Sequence, residues 1–324
     1  MLDKTVVYAL TANKNLAKEI VAKLGLELAE AEVKHFADGE ILACPVETVR
    51  GKNVYIIQST CAPVTERLME ILVFSDALKR ASAAHINVVL PYYGYARQDR
   101  KARAREPITA KLVADLLSTA GVNRVITLDL HAPQIQGFFS CPVDELSAIP
   151  LFGRYFRNRL KELNVNGENV VIVSPDHGGV TRARKLSTNI PGSTIAIIDK
   201  RRPKPNVAEV MNIIGDVNGK VAIMLDDIID TGGTIMAGAG AIKNAGATKI
   251  LAVCTHGIFS NDAITKLNES VFDEVVTTNT IERDYSLIPN NKIRTISIAP
   301  MIAKVIEHIE RDLPVSAIYD LFNQ

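Results

Sequence analysis

Two neighbouring carboxylates, Asp226 and Asp227, follow an apolar run at 221–225 and lead through Ile228 and Ile229 to Asp230, Thr231, Gly232, Gly233 and Thr234. These residue types divide the work of holding a phosphorylated sugar. Gly232 and Gly233 permit a tight turn with bare backbone N–H groups, and the helix-like pattern after Thr234 aims a positive N-terminal dipole into that turn. The threonine hydroxyls add hydrogen bonds to phosphate oxygens, while Asp226 and Asp227, at the strand's end, accept from vicinal sugar hydroxyls. Carboxylates repel a bare phosphate, so a ligand carrying hydroxyls as well as phosphate accounts better for the order. A plain strand–turn–helix joint with capping Asp and Thr leaves the doubled Asp and doubled Gly without a reason.

Other stretches carry chemistry of their own. Between Arg97 and Arg105, five of nine positions are Arg or Lys, just after an apolar run that ends in Pro91-Tyr92-Tyr93. Guanidinium forks suit polyphosphate oxygens, although a basic run by itself also describes a solvated or RNA-contacting loop. Phe36, Asp38, Gly39 and Glu40 combine an aromatic face with two carboxylates around an Asp-Gly turn signal. His131 and Asp176 each follow a β-branched run, Asp176 being succeeded by His177, Gly178 and Gly179. Taken without context, His131 reads more simply as a packed, hydrogen-bonded core residue. Lys200, Arg201 and Arg202 place cations just past another such run, with Pro203 and Pro205 stiffening the chain beyond them.

Elements able to position these groups are legible in the hydrophobic pattern. Short β-branched runs at 5–10, 53–59, 86–93, 124–130, 169–175, 194–199, 220–226, 249–256, 274–278 and 294–298 alternate with helical patterns. The helical stretches fall at 14–24, 65–83, 109–120, 151–163, 178–187 and 234–245. Such alternation predicts an α/β chain with parallel sheets covered by helices, and ten strands suit two sheets better than one. Residues 141–150, with Pro142 and Pro150, interrupt the alternation and set the expected boundary between domains 1–146 and 147–324, the last segment being free to pack back on the first domain.

At 324 residues with 47% hydrophobic content the chain can fill two cores, and a formal net charge of +1 gives no overall bias toward nucleic acid or membrane surfaces. No segment approaches the roughly 20 apolar residues of a membrane span, and the start lacks a leader pattern, so a cytoplasmic protein is expected. Cys44, Cys61, Cys141 and Cys254 are scattered singly, which favours reduced, buried thiols over a disulfide or zinc framework. There is no P-loop signature, no H-E-x-x-H and no serine elbow.

The stretch 226–234 resembles the phosphoribosyl diphosphate (PRPP) motif shared by type I phosphoribosyltransferases and ribose-phosphate diphosphokinases. Four further elements, 36–40, 97–107, 129–139 and 174–179, resemble the second family in order. The chain therefore looks like a PRPP synthetase of the bacterial, phosphate-activated type. That resemblance implies two phosphoribosyltransferase-like domains, each a mostly parallel sheet flanked by helices, with the active site between them. It implies transfer of the β,γ-diphosphoryl group of ATP to the 1-hydroxyl of ribose 5-phosphate, giving PRPP and AMP. By the same match, Arg97 and Gln98 contact ATP, and Phe36, Asp38, Gly39 and Glu40 reach adenine held mainly by a neighbouring subunit. Asp226 and Asp227 hold ribose hydroxyls, Asp230, Thr231, Gly232, Gly233 and Thr234 hold the 5-phosphate, and Lys200 and Arg202 are catalytic. His131 and Asp176 bind Mg²⁺. A homo-hexamer is implied, with ADP and phosphate as effectors near Arg50, Ser82 and Ser316, and with neither nucleic acid nor membrane as a partner. One departure stands out: Thr65-Glu66-Arg67 occupies a place where the family commonly has an Asn-rich triplet. A type I phosphoribosyltransferase would share the 226–234 cradle but needs only one domain of about 200 residues. A non-catalytic, synthetase-associated protein is the binding-module alternative, although the loops around Arg97 and Lys200 are uninterrupted here.

Overall fold

The computed structural model describes residues 2–201, 210–286, 288–318 and 322. Chain contacts divide it into two compact units, the first comprising Met1–Ser147, Asn279–Glu282 and Ser297–Ile318, the second principally Ala148–Thr278 and Arg283–Ile296.

The first unit contains β1 (Thr5–Ala9), α1 (Lys14–Leu24), β2 (Leu28–Ala29), the ribbon β3 (Ala31–His35) and β4 (Ile41–Pro45), β5 (Asn53–Ile57) and α2 (Val64–Arg80). It continues through β6 (His85–Leu90), α3 (Thr109–Ala120), β7 (Arg124–Leu128) and β8 (Val143–Leu146). Its main sheet runs β2-β1-β5-β6-β7-β8 with parallel pairing throughout. Val54, Ile56, Ile71, Phe74, Val88 and Leu117 are fully buried in its core.

The second unit contains α4 (Ile149–Glu162), β9 (Val170–Ser174), α5 (Val180–Thr188), β10 (Thr194–Arg201), β11 (Val210–Ile214), β12 (Val221–Ile229) and α6 (Gly233–Asn244). It is completed by β13 (Lys249–Gly257), α7 (Ala263–Glu269), β14 (Glu274–Thr278) and β15 (Ile293–Ile296). The sheet order is β11-β10-β9-β12-β13-β14-β15, parallel except for the edge pair β10–β11. One face, with Ile172 and Ile223, packs against Phe152 and Phe156 of α4 and Leu186 of α5, and the other, with Met224, packs against Ile235, Ala239 and Ile242 of α6. Burial on both faces explains why strands such as β9 and β14 read as continuous buried runs and not as alternating ones.

Strand order reverses once in each sheet, between β1 and β5 and between β9 and β12. A reversal of that kind opens a crevice at the carboxyl ends of the two strands, the usual place for a ligand. In the first unit the crevice is filled from within. Thr280 accepts at its carbonyl from Asn13 Nδ2 (3.1 Å) and Ser59 Oγ (2.5 Å), and Glu282 Oε1 accepts from Leu16 N at 2.6 Å, in the first turn of α1. The final helix, α8 (Ala299–Glu310), belongs to this unit, packs on α1, and ends in Glu310, which accepts from Thr5 Oγ1, Asn53 Nδ2 and Tyr55 Oη.

All ten expected strands are present, but several boundaries differ. β12 continues three residues past Asp226, because β-branched Ile228 and Ile229 keep pairing with β13. The Asp pair therefore lies inside the strand and not at its end. The stretch 141–150, read as an interruption, instead carries β8 and opens α4. α5 starts at Val180, two residues later than expected, since Gly178 and Gly179 remain in the turn. All four cysteines are free; Cys61 and Cys254 are buried as expected, whereas Cys44 and Cys141 are only half-buried.

Candidate functional site

The cradle forms because two central strands of the second sheet end at different heights. Pairing between β12 and β9 stops at Met224↔Val173, while pairing between β12 and β13 continues to Ile229↔Gly257. Asp226 and Asp227 therefore lie on the length of β12 that outruns β9, beside the turn through Asp176, Gly178 and Gly179. Successive strand residues face opposite ways, so Asp227 shares the α5 face with Leu225, and Asp226, in register with Cys254, shares the α6 face. Asp227 is almost wholly buried, and Arg182 of α5 reaches it, Nη2 standing 3.1 Å from Oδ1. Asp226 Oδ1 accepts from the Asp227 backbone N–H at 2.9 Å. Burial first, then the hydrogen bond and like charge of Asp227, push Asp226 up to about 8, with Arg182 pulling the other way.

Beyond the strand, Gly232 adopts a left-handed conformation (φ +76°) that turns the chain into α6, whose first residue is Gly233. No side chain caps that helix. Its first-turn N–H groups, with the exposed Thr231, Gly233 and Thr234 around them, present donors to an anion. A second turn of the same kind follows β9, where Asp176 Oδ1 accepts from Gly179 N at 2.9 Å. A Cβ on Gly179 would come within 2.6 Å of Ser174 Oγ. His177 Nε2 lies 3.2 Å from Asp199 Oδ1, the residue before Lys200. β10 brings Lys200 opposite Met211 in its antiparallel pair with β11. Arg202 lies outside the described residues.

The first unit positions the other candidates. Phe36, Asp38, Gly39 and Glu40 form the tip of the β3–β4 hairpin, closed by Phe36 N to Glu40 O (2.9 Å) and Gly39 N to Phe36 O (3.0 Å). Phe36 is 51% exposed, which is unusual for so apolar a ring and leaves its face available for stacking. Arg97 and Gln98 sit on the loop after β6, both exposed. That loop is held at its root, because Gly94 packs so close to Thr60 that a Cβ would lie 2.3 Å from the Thr60 carbonyl oxygen. Thr109 Oγ1 donates to Gln98 Oε1 at 2.5 Å, and Glu106 Oε2 accepts from Ala102 N and Arg103 N. Arg50 Nη1 donates to Ser82 Oγ at 3.0 Å, bringing together two of the residues expected at an effector site; Ser316 is exposed in the segment after α8. Thr65, Glu66 and Arg67 open α2, and Arg67 Nε donates to the Ala62 carbonyl.

Among the described residues no cluster of three or more His, Cys, Asp or Glu side chains could hold a metal ion. His131 and Asp176 are exposed and lie in the first and second units respectively. Each is a ligand type that magnesium accepts, because that ion keeps several waters and takes nucleotide phosphate oxygens for the rest. No helix among the described residues is long and apolar enough to cross a membrane.

Arg182 is the site residue that sequence reading passed over. Its signal was its place on the helix that follows the Gly178-Gly179 turn.

Residues 5–121 match the family described as the N-terminal domain of ribose phosphate pyrophosphokinase, and residues 168–320 match the phosphoribosyl synthetase-associated domain. The ribose-phosphate pyrophosphokinase of Bacillus caldolyticus is 54% identical over 97% of both chains, and that of Listeria ivanovii is 52% identical over 98% of both. Among solved structures, the phosphoribosylpyrophosphate synthetase from Mycobacterium smegmatis superposes with a TM-score of 0.88 at 39% identity, covering 96% of this chain and 100% of that one.

Proposed function

The chain belongs to the ribose-phosphate pyrophosphokinase family, and on that premise we propose that it transfers the β,γ-diphosphoryl group of ATP to the 1-hydroxyl of ribose 5-phosphate, giving PRPP and AMP. The observation that carries this reading is the juxtaposition, on β12, of a carboxylate pair, Asp227 buried and Asp226 half-buried, with the uncapped N-terminus of α6. The pair suits the vicinal hydroxyls of ribose, and the turn Asp230–Thr234 suits the 5-phosphate. Arg97 and Gln98 bind ATP, and Phe36, Asp38 and Glu40 meet adenine held by a neighbouring subunit of a hexamer. Lys200 and Arg202 stabilise the charge that develops on the transferred diphosphoryl group, where positioning and electrostatics supply most of the acceleration. His131 and Asp176 would hold magnesium, which when bound neutralises phosphate charge. ADP and phosphate act as effectors around Arg50, Ser82 and Ser316, and the enzyme works in the cytoplasm.

The test is product analysis with purified protein, Mg²⁺, ATP and ribose 5-phosphate. AMP should appear only when the sugar phosphate is present. ADP as co-product would mean attack at the γ-phosphorus and end the diphosphokinase assignment.

A further inference from the structure

Arg182 has no part in the roles assigned above, yet its guanidinium reaches the buried Asp227. The Asp227 side chain is 3% exposed and that of Arg182 25%. Arg182 Nε is buried and makes no hydrogen bond, so the guanidinium engages the carboxylate through Nη2 and not as a full two-pronged fork. Bringing a cation this far in with one of its donors unsatisfied costs free energy that a purely structural pair has little reason to retain.

We infer that Arg182 is a positioning residue for ribose 5-phosphate, fixing the Asp226–Asp227 pair so that both carboxylates accept from ribose hydroxyls. The inference rests on reading β12 and the α6 turn as the sugar-phosphate site. A carboxylate accepts through both oxygens, whereas its protonated form gives up part of that capacity to an O–H donor. Among the described residues, the charges that act on Asp226 are those of its neighbour Asp227 on β12 and of Arg182 on α5, and β13 contributes the Cys254 thiol, neutral because burial pushes it up to about 12. Arg182 is thus the cation opposing the rise of Asp226. Without it the pair would hold a proton to higher pH and bind the sugar less well.

The experiment uses the full chain and the variants Arg182→Ala, Arg182→Gln and Arg182→Lys, with kcat and KM for each substrate measured across the pH range. Protonation of the substrates themselves is common to all variants and cancels in the comparison. Arg182→Ala and Arg182→Gln should raise KM for ribose 5-phosphate about tenfold at neutral pH with little change in KM for ATP. The acidic limb of kcat/KM for the sugar should move up by about one pH unit, and Arg182→Lys should bring it back toward wild type. Should Arg182→Ala not fold, the Gln and Lys variants carry the same test, since they differ in charge. An unmoved limb in the neutral variants, identical limbs for Gln and Lys, or equal losses for both substrates at every pH would overturn the inference. A wild-type enzyme that releases no AMP would instead sink the underlying site assignment.

Discussion

Asp226→Asn is expected to stabilise the fold while damaging sugar binding. Burial and Asp227 raise Asp226 to about 8 from an ordinary value of 3.8. A carboxyl group raised on folding contributes stability in full below its unfolded value, and loses that contribution as pH climbs toward the folded value. The relevant window is therefore from about pH 4 to about pH 8. One unit corresponds to about 1.4 kcal/mol, so if relaxation of the site takes up half the displacement, roughly 3 kcal/mol remains at stake across the window. For a unit of this size that is about 6–12 °C in Tm. Asparagine has no proton to lose. Thermal scans from pH 5 to pH 9 should show the wild-type Tm falling with pH relative to the variant, the two converging at the acid end. Titration with ribose 5-phosphate should show affinity weakened by about ten- to a hundredfold in the variant, because a carboxylate acceptor is gone. Parallel Tm curves, or a variant less stable than wild type at pH 8.5, would refute the reasoning that the two carboxylates repel one another.

Lys200→Ala and Arg202→Ala should each lower kcat by about 10²–10⁴ with smaller effects on KM, because groups that meet developing charge act mainly in the transition state; wild-type turnover in both would move the catalytic role elsewhere. Thr231→Ala should weaken ribose 5-phosphate by roughly tenfold and leave ATP binding unchanged in separate titrations, equal weakening of both ligands being the contrary result. Mixing inactive Asp38→Ala and Lys200→Ala chains, with dissociation and reassembly, should restore part of the activity if the hairpin tip completes a neighbour's ATP site. Mixed oligomers that stay dead would show that it does not.

The core strands were legible because their β-branched runs are long and their flanks carry clear turn residues. β14 begins and ends where the pattern placed it, at 274–278. What escaped was structure held by pairing instead of by its own pattern. β2 is two residues long, β8 lies within a segment flanked by Pro142 and Pro150, and β11 comes after a proline-rich stretch. The β3–β4 ribbon is mostly half-buried or exposed along its length, so it lacks the apolar signal of a core strand. In the site, the doubled Asp and doubled Gly marked the place where β12 turns into α6, because each type has few other uses in that order. Arg182 could not be found in the same way. Its role depends on β12 outrunning β9, and that difference in height is a property of the sheet and not of any local run.

The crevice of the first unit, sealed by Thr280 and Glu282, bears on how a duplicated fold comes to have a single reactive centre. The Glu282 carboxylate takes the place at the head of α1 that a phosphate would otherwise want. A ligand tethered to the chain surrenders almost no freedom on binding, so dissolved phosphates compete with it poorly. The first unit has in effect swallowed its own phosphate mimic, which under the proposed function would leave its outer loops, the β3–β4 tip and the run after β6, to serve the nucleotide. Two copies of one architecture can thus specialise without inventing a new fold: one keeps its pocket open, and the other closes it permanently and works from its rim.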